Sequence, residues 1–302
     1  MRYNIKPDSF AKLKRNHLLV GAFYMLFGLF IFIGSFTIQA LKDFKPDLFL
    51  NYITKLRVGG SYYNPEYQIT VGDITGNSTY ISRLVEMIKD VPFMLIVGII
   101  LLVSALIHIT VTTRRLNPVY NSNLQNNVPK PIFMDSLFTS LLLPLLAIII
   151  GVANLNIVLL LFVLGLVASV LTYNMKQLRI LKAKPSWASY IGMVLAFLGA
   201  FAVFLLSRAN QLQIQQALLD NLTITEPYLK SFNYTIMFVY FGFWFIKLVH
   251  NLLDNLNLKW WKNPVFVETV HIIISLLLKI AIIGMIFYGL VNNLFTIFYQ
   301  NL

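Results

Sequence analysis

Lys279 lies in the middle of the last apolar segment of the chain, VFVETVHIIISLLLKIAIIGMIFYGL, with runs of Ile and Leu on both sides. A charged amine at the centre of a bilayer costs about 2.5–3.5 kcal/mol on insertion scales, and more where the site is dry, so such a residue needs a partner or a task. Glu268, His271, Ser275 and Lys279 follow one another at i, i+3, i+7 and i+11, which puts them on one face of a helix. One stripe of an otherwise apolar helix is therefore polar. Three chemistries are open to this lysine: half of a structural ion pair, a proton or ion relay, or an amine that forms a Schiff base with a carbonyl ligand. On the bare residues the structural pair ranks first.

The other ionisable groups inside apolar segments gather toward one end of the spans. They are His108, Asp135, Lys247, His250, Asp254, Glu268 and His271. The turn Lys259-Trp260-Trp261-Lys262 joins the last two apolar segments as an antiparallel hairpin. Lys247 and His250 then lie level with Glu268 and His271, a pattern that predicts a hydrated polar cavity opening inward. The plainer reading is that Asp254, His250 and Glu268 snorkel to the headgroups. Lys279 is too deep for that, since ~15 residues at 1.5 Å each place it about 22 Å along its helix.

The elements that must hold these groups follow from hydropathy. The chain has 302 residues, 58% hydrophobic and only 12% charged, a balance foreign to a soluble domain of this length. It predicts an all-α polytopic membrane protein, residues 1–302 forming a single seven-helix transmembrane domain. With about 20 apolar residues per span, the helices fall near 17–40, 91–112, 132–153, 155–173, 187–207, 233–254 and 265–297. Cysteine is absent, which removes disulfide and thiolate chemistry. No nucleophile–base pair, metal-ligand set or phosphate loop is visible, so an enzyme is not expected.

The net charge of +12 is distributed by topology and calls for no nucleic-acid partner. Basic residues crowd the N-terminus (Arg2, Lys6, Lys12, Lys14, Arg15) and the loops at 113–131, 174–186 and 255–264, whereas the alternate loops carry the acids. The positive-inside rule then puts the N-terminus in the cytoplasm and the C-terminus outside. The outer loop 41–90 contains YITKLRV-GG-SYYNPEYQITV, whose alternation around Gly59-Gly60 predicts a β-hairpin, followed by a short amphipathic turn, SRLVEMIKD. In the second outer segment, RANQLQIQQALLDN continues the fifth helix.

Seven helices with a lysine midway along the last resemble the microbial rhodopsins, and several stretches resemble one branch, the heliorhodopsins. WKNPVFVETVHIIISLLLK is similar to that family's last helix, with Trp261, Glu268, Ser275 and Lys279 at matching positions. The SALIH run ending at His108 is similar to its second-helix motif, and GVANLNIVLLLFVLGLVASVLTYNMKQ to its third-to-fourth helix region. Counted from the Tyr120 match, the family's counterion glutamate falls on Asp135. Other positions depart: the family's Arg-Trp before the counterion is Ile132-Phe133, its first-helix histidine appears as Tyr24, its seventh-helix tyrosine as His271, and the arginine after the seventh-helix glutamate as Thr269.

The resemblance implies all-trans retinal bound covalently to Lys279 as a protonated Schiff base, with Asp135 as counterion. Ser275 and Ser140 would lie beside it, and Phe241, Phe243 and Trp244 would line the polyene. A proton network would be rebuilt around His108, Tyr24, Glu268, His271, Lys247 and His250. For Asp135 to reach Lys279, the third helix must begin near Asn121, with Pro129 and Pro131 tolerated in a protein-lined polar cavity. The implied protein is a photoreceptor in the cell (plasma) membrane, a homodimer that reports to a cytoplasmic signalling partner. A light-gated proton channel or transporter on the same scaffold, and a retinal-free membrane scaffold with Lys279 paired to Asp135, are the alternatives.

Overall fold

Where hydropathy places apolar spans, the chain is helical. The computed structural model describes residues 7–45, 48–56, 68–70, 79–88, 90–113, 122, 130–149, 155–182, 185–221, 231–256, 258 and 260–291. The main helices are α1 (Pro7–Thr37), α3 (Phe93–Thr110), α4 (Lys130–Ser140), α5 (Leu142–Ile149), α6 (Leu155–Lys182), α7 (Trp187–Asn221), α8 (Ser231–Asn255) and α9 (Pro264–Val291), with a short α2 at Gln39–Lys42. Six apolar stretches within them are long enough to cross a membrane, and Phe133–Ile148 is a shorter seventh. Leu26, Leu206 and Leu195 are more than 60% exposed, as side chains facing lipid are. The molecule is an integral membrane protein built as a helical bundle.

The basic stretch before the first predicted span belongs to the same helix. Pro7 opens α1, where its missing N–H is no loss, and Asp8 sits in the first turn, where the helix dipole favours an acid. This early start carries His17 into the bundle. At the other end of the chain's midsection, α7 runs on to Asn221, the continuation that RANQLQIQQALLDN predicts.

The third span is broken. Pro144 has no N–H to give the carbonyl of Ser140, and its ring would crowd that carbonyl. The chain turns at Leu141, whose N–H reaches the Phe138 carbonyl at 3.2 Å instead, and α5 restarts at Leu142. Pro131 falls in the first turn of α4, where proline is tolerated. The helical start expected near Asn121, with Pro129 inside it, lies outside the described residues.

The outer loop departs from the predicted hairpin. Strands β1 (Leu48–Leu56), β2 (Gln68–Thr70) and β3 (Thr79–Ile88) form an antiparallel sheet in the order β1-β3-β2. Leu56 pairs with Thr79 and Tyr52 with Arg83, and β2, which is the described part of the predicted second hairpin strand, pairs with β3 as well. Those two glycines themselves lie outside the described residues. The predicted amphipathic turn SRLVEMIKD is most of β3. Thr79, Tyr80, Ile81 and Val85 favour a strand, and β3 matches β1 in length where the three-residue β2 cannot.

α1 and α3 pack along most of their lengths, through glycine on both sides. A Cβ on Gly98 would lie 3.0 Å from the backbone nitrogen of Phe32, and one on Gly21 would lie 2.7 Å from Ile109 Cγ1. Small residues let membrane helices approach this closely. Because Phe32 presents backbone at the contact, Gly98→Val must push the helices apart, at a cost of about 1–3 kcal/mol. The thermal midpoint of the purified protein should fall, whereas Gly284→Ala, whose Cβ meets nothing within 4 Å, should leave it unchanged.

Candidate functional site

Lys279 is 1% exposed, and its amine meets a carboxylate. Nζ lies 2.5 Å from Asp135 Oδ1 and donates a second hydrogen bond to Ser104 Oγ at 2.9 Å. The other carboxylate oxygen, Oδ2, accepts from Ser275 Oγ at 2.6 Å. Ser275 and Lys279 stand one turn apart on the same face of α9, so a single helix grips both oxygens of Asp135. The Tyr24 ring lies under the amine, 4.6 Å from Nζ to its centroid. Two charges taken out of lipid and water hold together only when their remaining hydrogen-bonding capacity is filled, and Ser104 and Ser275 fill it here.

A hydrogen-bonded relay leads away from this pair. His108 Nε2 stands 3.8 Å from Asp135 Oδ1, too far for a hydrogen bond. His108 Nδ1 and His17 Nδ1 are 2.8 Å apart, and His17 Nε2 is 3.1 Å from Glu268 Oε1. With Glu268 ionised, His17 Nε2–H donates to it and a neutral His17 accepts from His108 Nδ1–H. The tautomers then leave His108 Nε2 as a bare acceptor facing Asp135, and that atom has no hydrogen-bond partner. His17, Tyr24 and Asp135 belong to one connected cluster spanning α1, α3, α4 and α9.

A second polar group lies toward α6 and α8. Lys247 Nζ donates to Ser136 Oγ, Trp261 Nε1 donates to His250 Nδ1 at 3.1 Å, and Lys176 Nζ is 4.0 Å from Asp254 Oδ2. His250 and His271 face each other with ring centroids 6.4 Å apart. Glu268 and His271, about 60° apart around the helix, thus turn to different clusters. Of the residues predicted to share one inward cavity, Lys247 and His271 line the same cavity, whereas Glu268 bonds to His17. Nor do Asp254, His250 and Glu268 snorkel outward; none of them is more than 3% exposed.

Between α4, α6, α7, α8 and α9 runs a cavity with about 640 Å³ of atom-free space, part of it open to the outside. Ser140, Gly165, Tyr240, Phe243, Trp244, Ser275 and Leu278 line its middle. Ser275 and Leu278 bring this slot up to the turn of α9 that carries Lys279, whose own side chain lines a separate cavity with Phe23, Tyr24, Phe27 and Ile283. A Cβ at Gly165 would come within 3.2 Å of the Ser140 carbonyl, which is how α6 closes against the broken third span. Phe241 is the exception among the predicted lining residues. It points behind the slot, stacked on Trp244 at 6.0 Å and packed against Phe197, Phe201 and Phe204.

Two residues of the site escaped the sequence reading. Tyr24 takes the position of the family's first-helix histidine in the alignment, but the histidine that bonds to His108 is His17, two turns earlier on the same face of α1. The seven-residue spacing of His17 and Tyr24 was the available signal. Ser104 stands in the SALIH run, four residues before His108, and that spacing already placed it on the same face.

No curated protein matches the chain. The heliorhodopsin family model matches residues 49–291, most of its length. The fold, the buried lysine in its last helix and this match together lead to one conclusion: the chain belongs to the heliorhodopsin family of retinal-binding, light-sensing membrane proteins.

Proposed function

We propose that this protein senses light through retinal held as a protonated Schiff base on Lys279, with Asp135 as its counterion. The observation that carries the reading is the contact of a fully buried lysine with one carboxylate. Retinal, when bound, supplies visible absorption and a light-driven change of shape. The chain supplies the rest. Asp135 stabilises positive charge on the Lys279 nitrogen, Ser275 holds the carboxylate in register, and Phe243 and Trp244 confine an extended ligand. The basic loops support a cytoplasmic N-terminus and an external C-terminus. On the same reading the chain is one seven-helix domain in the plasma membrane, a homodimer whose inner loops 174–186 and 255–264 meet a signalling partner.

A second reading, light-gated proton conduction, is favoured by the relay. A proton that reaches Asp135 has His108 Nε2 as its next acceptor, then His17, then Glu268. Each transfer shifts a proton along an existing hydrogen bond, except the first, which needs the 3.8 Å gap to close.

Membranes expressed with all-trans retinal should be coloured for the wild type and colourless for Lys279→Ala. Colour in neither would leave Lys279 as a structural lysine in a retinal-free scaffold. In Asp135→Asn the nitrogen loses its counterion, so its proton is held less tightly. The visible band should then give way to near-ultraviolet absorption at a pH about 2 units lower than in the wild type. Voltage clamp separates the two readings: a steady photocurrent that disappears in His17→Phe marks conduction, and a current-free coloured protein marks a sensor.

A further inference from the structure

The positive charge on Lys279 meets more than its carboxylate. An ammonium carries three N–H groups; Asp135 Oδ1 takes one and Ser104 Oγ a second. One remains, and the ring of Tyr24 in α1 lies under the amine, 4.6 Å from Nζ to its centroid. Tyr24 is fully buried and its hydroxyl makes no hydrogen bond among the described residues, so what it presents to the lysine is the face of the ring. A cation within about 6 Å of a ring centroid is attracted by the ring quadrupole, and more strongly where both are out of water.

The surroundings of the ring make this contact count. Lys279 and Tyr24 line a cavity with about 360 Å³ of atom-free space, part of it open to the outside, and the other residues around it are Phe23, Phe27, Leu101, Ile280, Ile283 and Gly284. None of these six has a polar side chain. Within this cavity the Tyr24 ring is therefore the group that can answer positive charge on the lysine. The titratable and charged groups facing the nitrogen are Asp135 from α4, Tyr24 from α1 and His108 from α3, whose Nε2 stands 3.8 Å from the same carboxylate; Lys247 of α8 acts on it from farther off, by charge alone.

We propose that Tyr24 is a second charge-stabilising residue of the Lys279 site, the face of its ring holding positive charge on the lysine nitrogen from α1 while Asp135 holds it from α4. The inference deepens the Schiff-base reading, on which only its colour readout rests. A protonated imine keeps a single N–H, which Asp135 accepts, and a π-face stabilises positive charge without accepting a hydrogen. The role of Tyr24 at the nitrogen is thus electrostatic, and separate from any passage of protons along His108 and His17.

The test changes the charge of the ring and keeps its shape. Tyr24→Phe retains the π-face, and pentafluorophenylalanine introduced at position 24 by stop-codon suppression removes its negative charge. In the full chain loaded with all-trans retinal, Tyr24→Phe should keep the pH of the visible-to-near-ultraviolet transition within about 0.5 unit of the wild type, and the fluorinated ring should lower it by about 1 unit. The sign follows because a less stabilised cation gives up its proton at lower pH. In the retinal-free chain the fluorinated ring should lower the thermal midpoint by about 2–4 °C relative to Tyr24→Phe where Lys279 is present, and leave it unchanged in an Asp135→Asn/Lys279→Met background. An equal transition pH in the two coloured proteins overturns the proposal, and so does an equal midpoint loss in the two backgrounds. A colourless wild type sinks the Schiff-base reading alone, since the retinal-free comparison still decides the role of the ring.

Discussion

A lysine and an aspartate in contact at the centre of an apolar bundle constrain nearly everything around them. Neither charge is tolerable there alone, and together they are tolerable only while Ser104 and Ser275 complete their hydrogen bonds. That requirement ties α3, α4 and α9 to one another at a point. The break at Leu141 divides the third span between α4, which carries Asp135 to Lys279, and α5. Close packing of α1 on α3 through Gly21 and Gly98 then presses Tyr24 and His108 against the same pair.

The polar stripe of the last helix meets two groups of side chains: toward α1 and α3 the hydrogen-bonded run Glu268–His17–His108, which stops 3.8 Å short of Asp135, and toward α6 and α8 the group of Lys247, Ser136, His250, Lys176 and Asp254. A proton can be passed along the first because each member both gives and accepts. Light-driven movement at Lys279 would be felt by both, since Ser275 and Asp135 touch the lysine and Ser136, next to Asp135, touches Lys247. The family match concerns retinal and light, and the division into two networks is a property of these particular residues.

Much of the bundle was legible because lipid imposes strict conditions on a chain. Every backbone group in the bilayer must be paired within its own segment, so a long apolar run can only be a helix. The positions of Lys279, Ser275 and His108 on inward faces followed from helical spacing. The outer loop carried no such constraint. β1 could pair with either of two downstream segments, and length matching with Thr79–Ile88 outweighed proximity in sequence. Phe241 illustrates a related limit: it neighbours Phe243 and Trp244 in sequence, but successive residues of a helix point about 100° apart, and only the packing of α7 decided that it faces Phe201 and Phe204.

By itself, then, the sequence determined the apolar spans and the depth of Lys279, because hydropathy and helical period are local properties; Asp135 was matched to it only through the family resemblance. Which histidine completes the relay, and which partners Glu268, His271 and Lys247 find, were decided by tertiary structure. Those outcomes depend on the rotation and approach of whole helices, set by contacts such as Gly98 on Phe32 and by the turn at Leu141. Pairing between buried charges is a contest among distant residues, and its result appears only when all the competitors are in place.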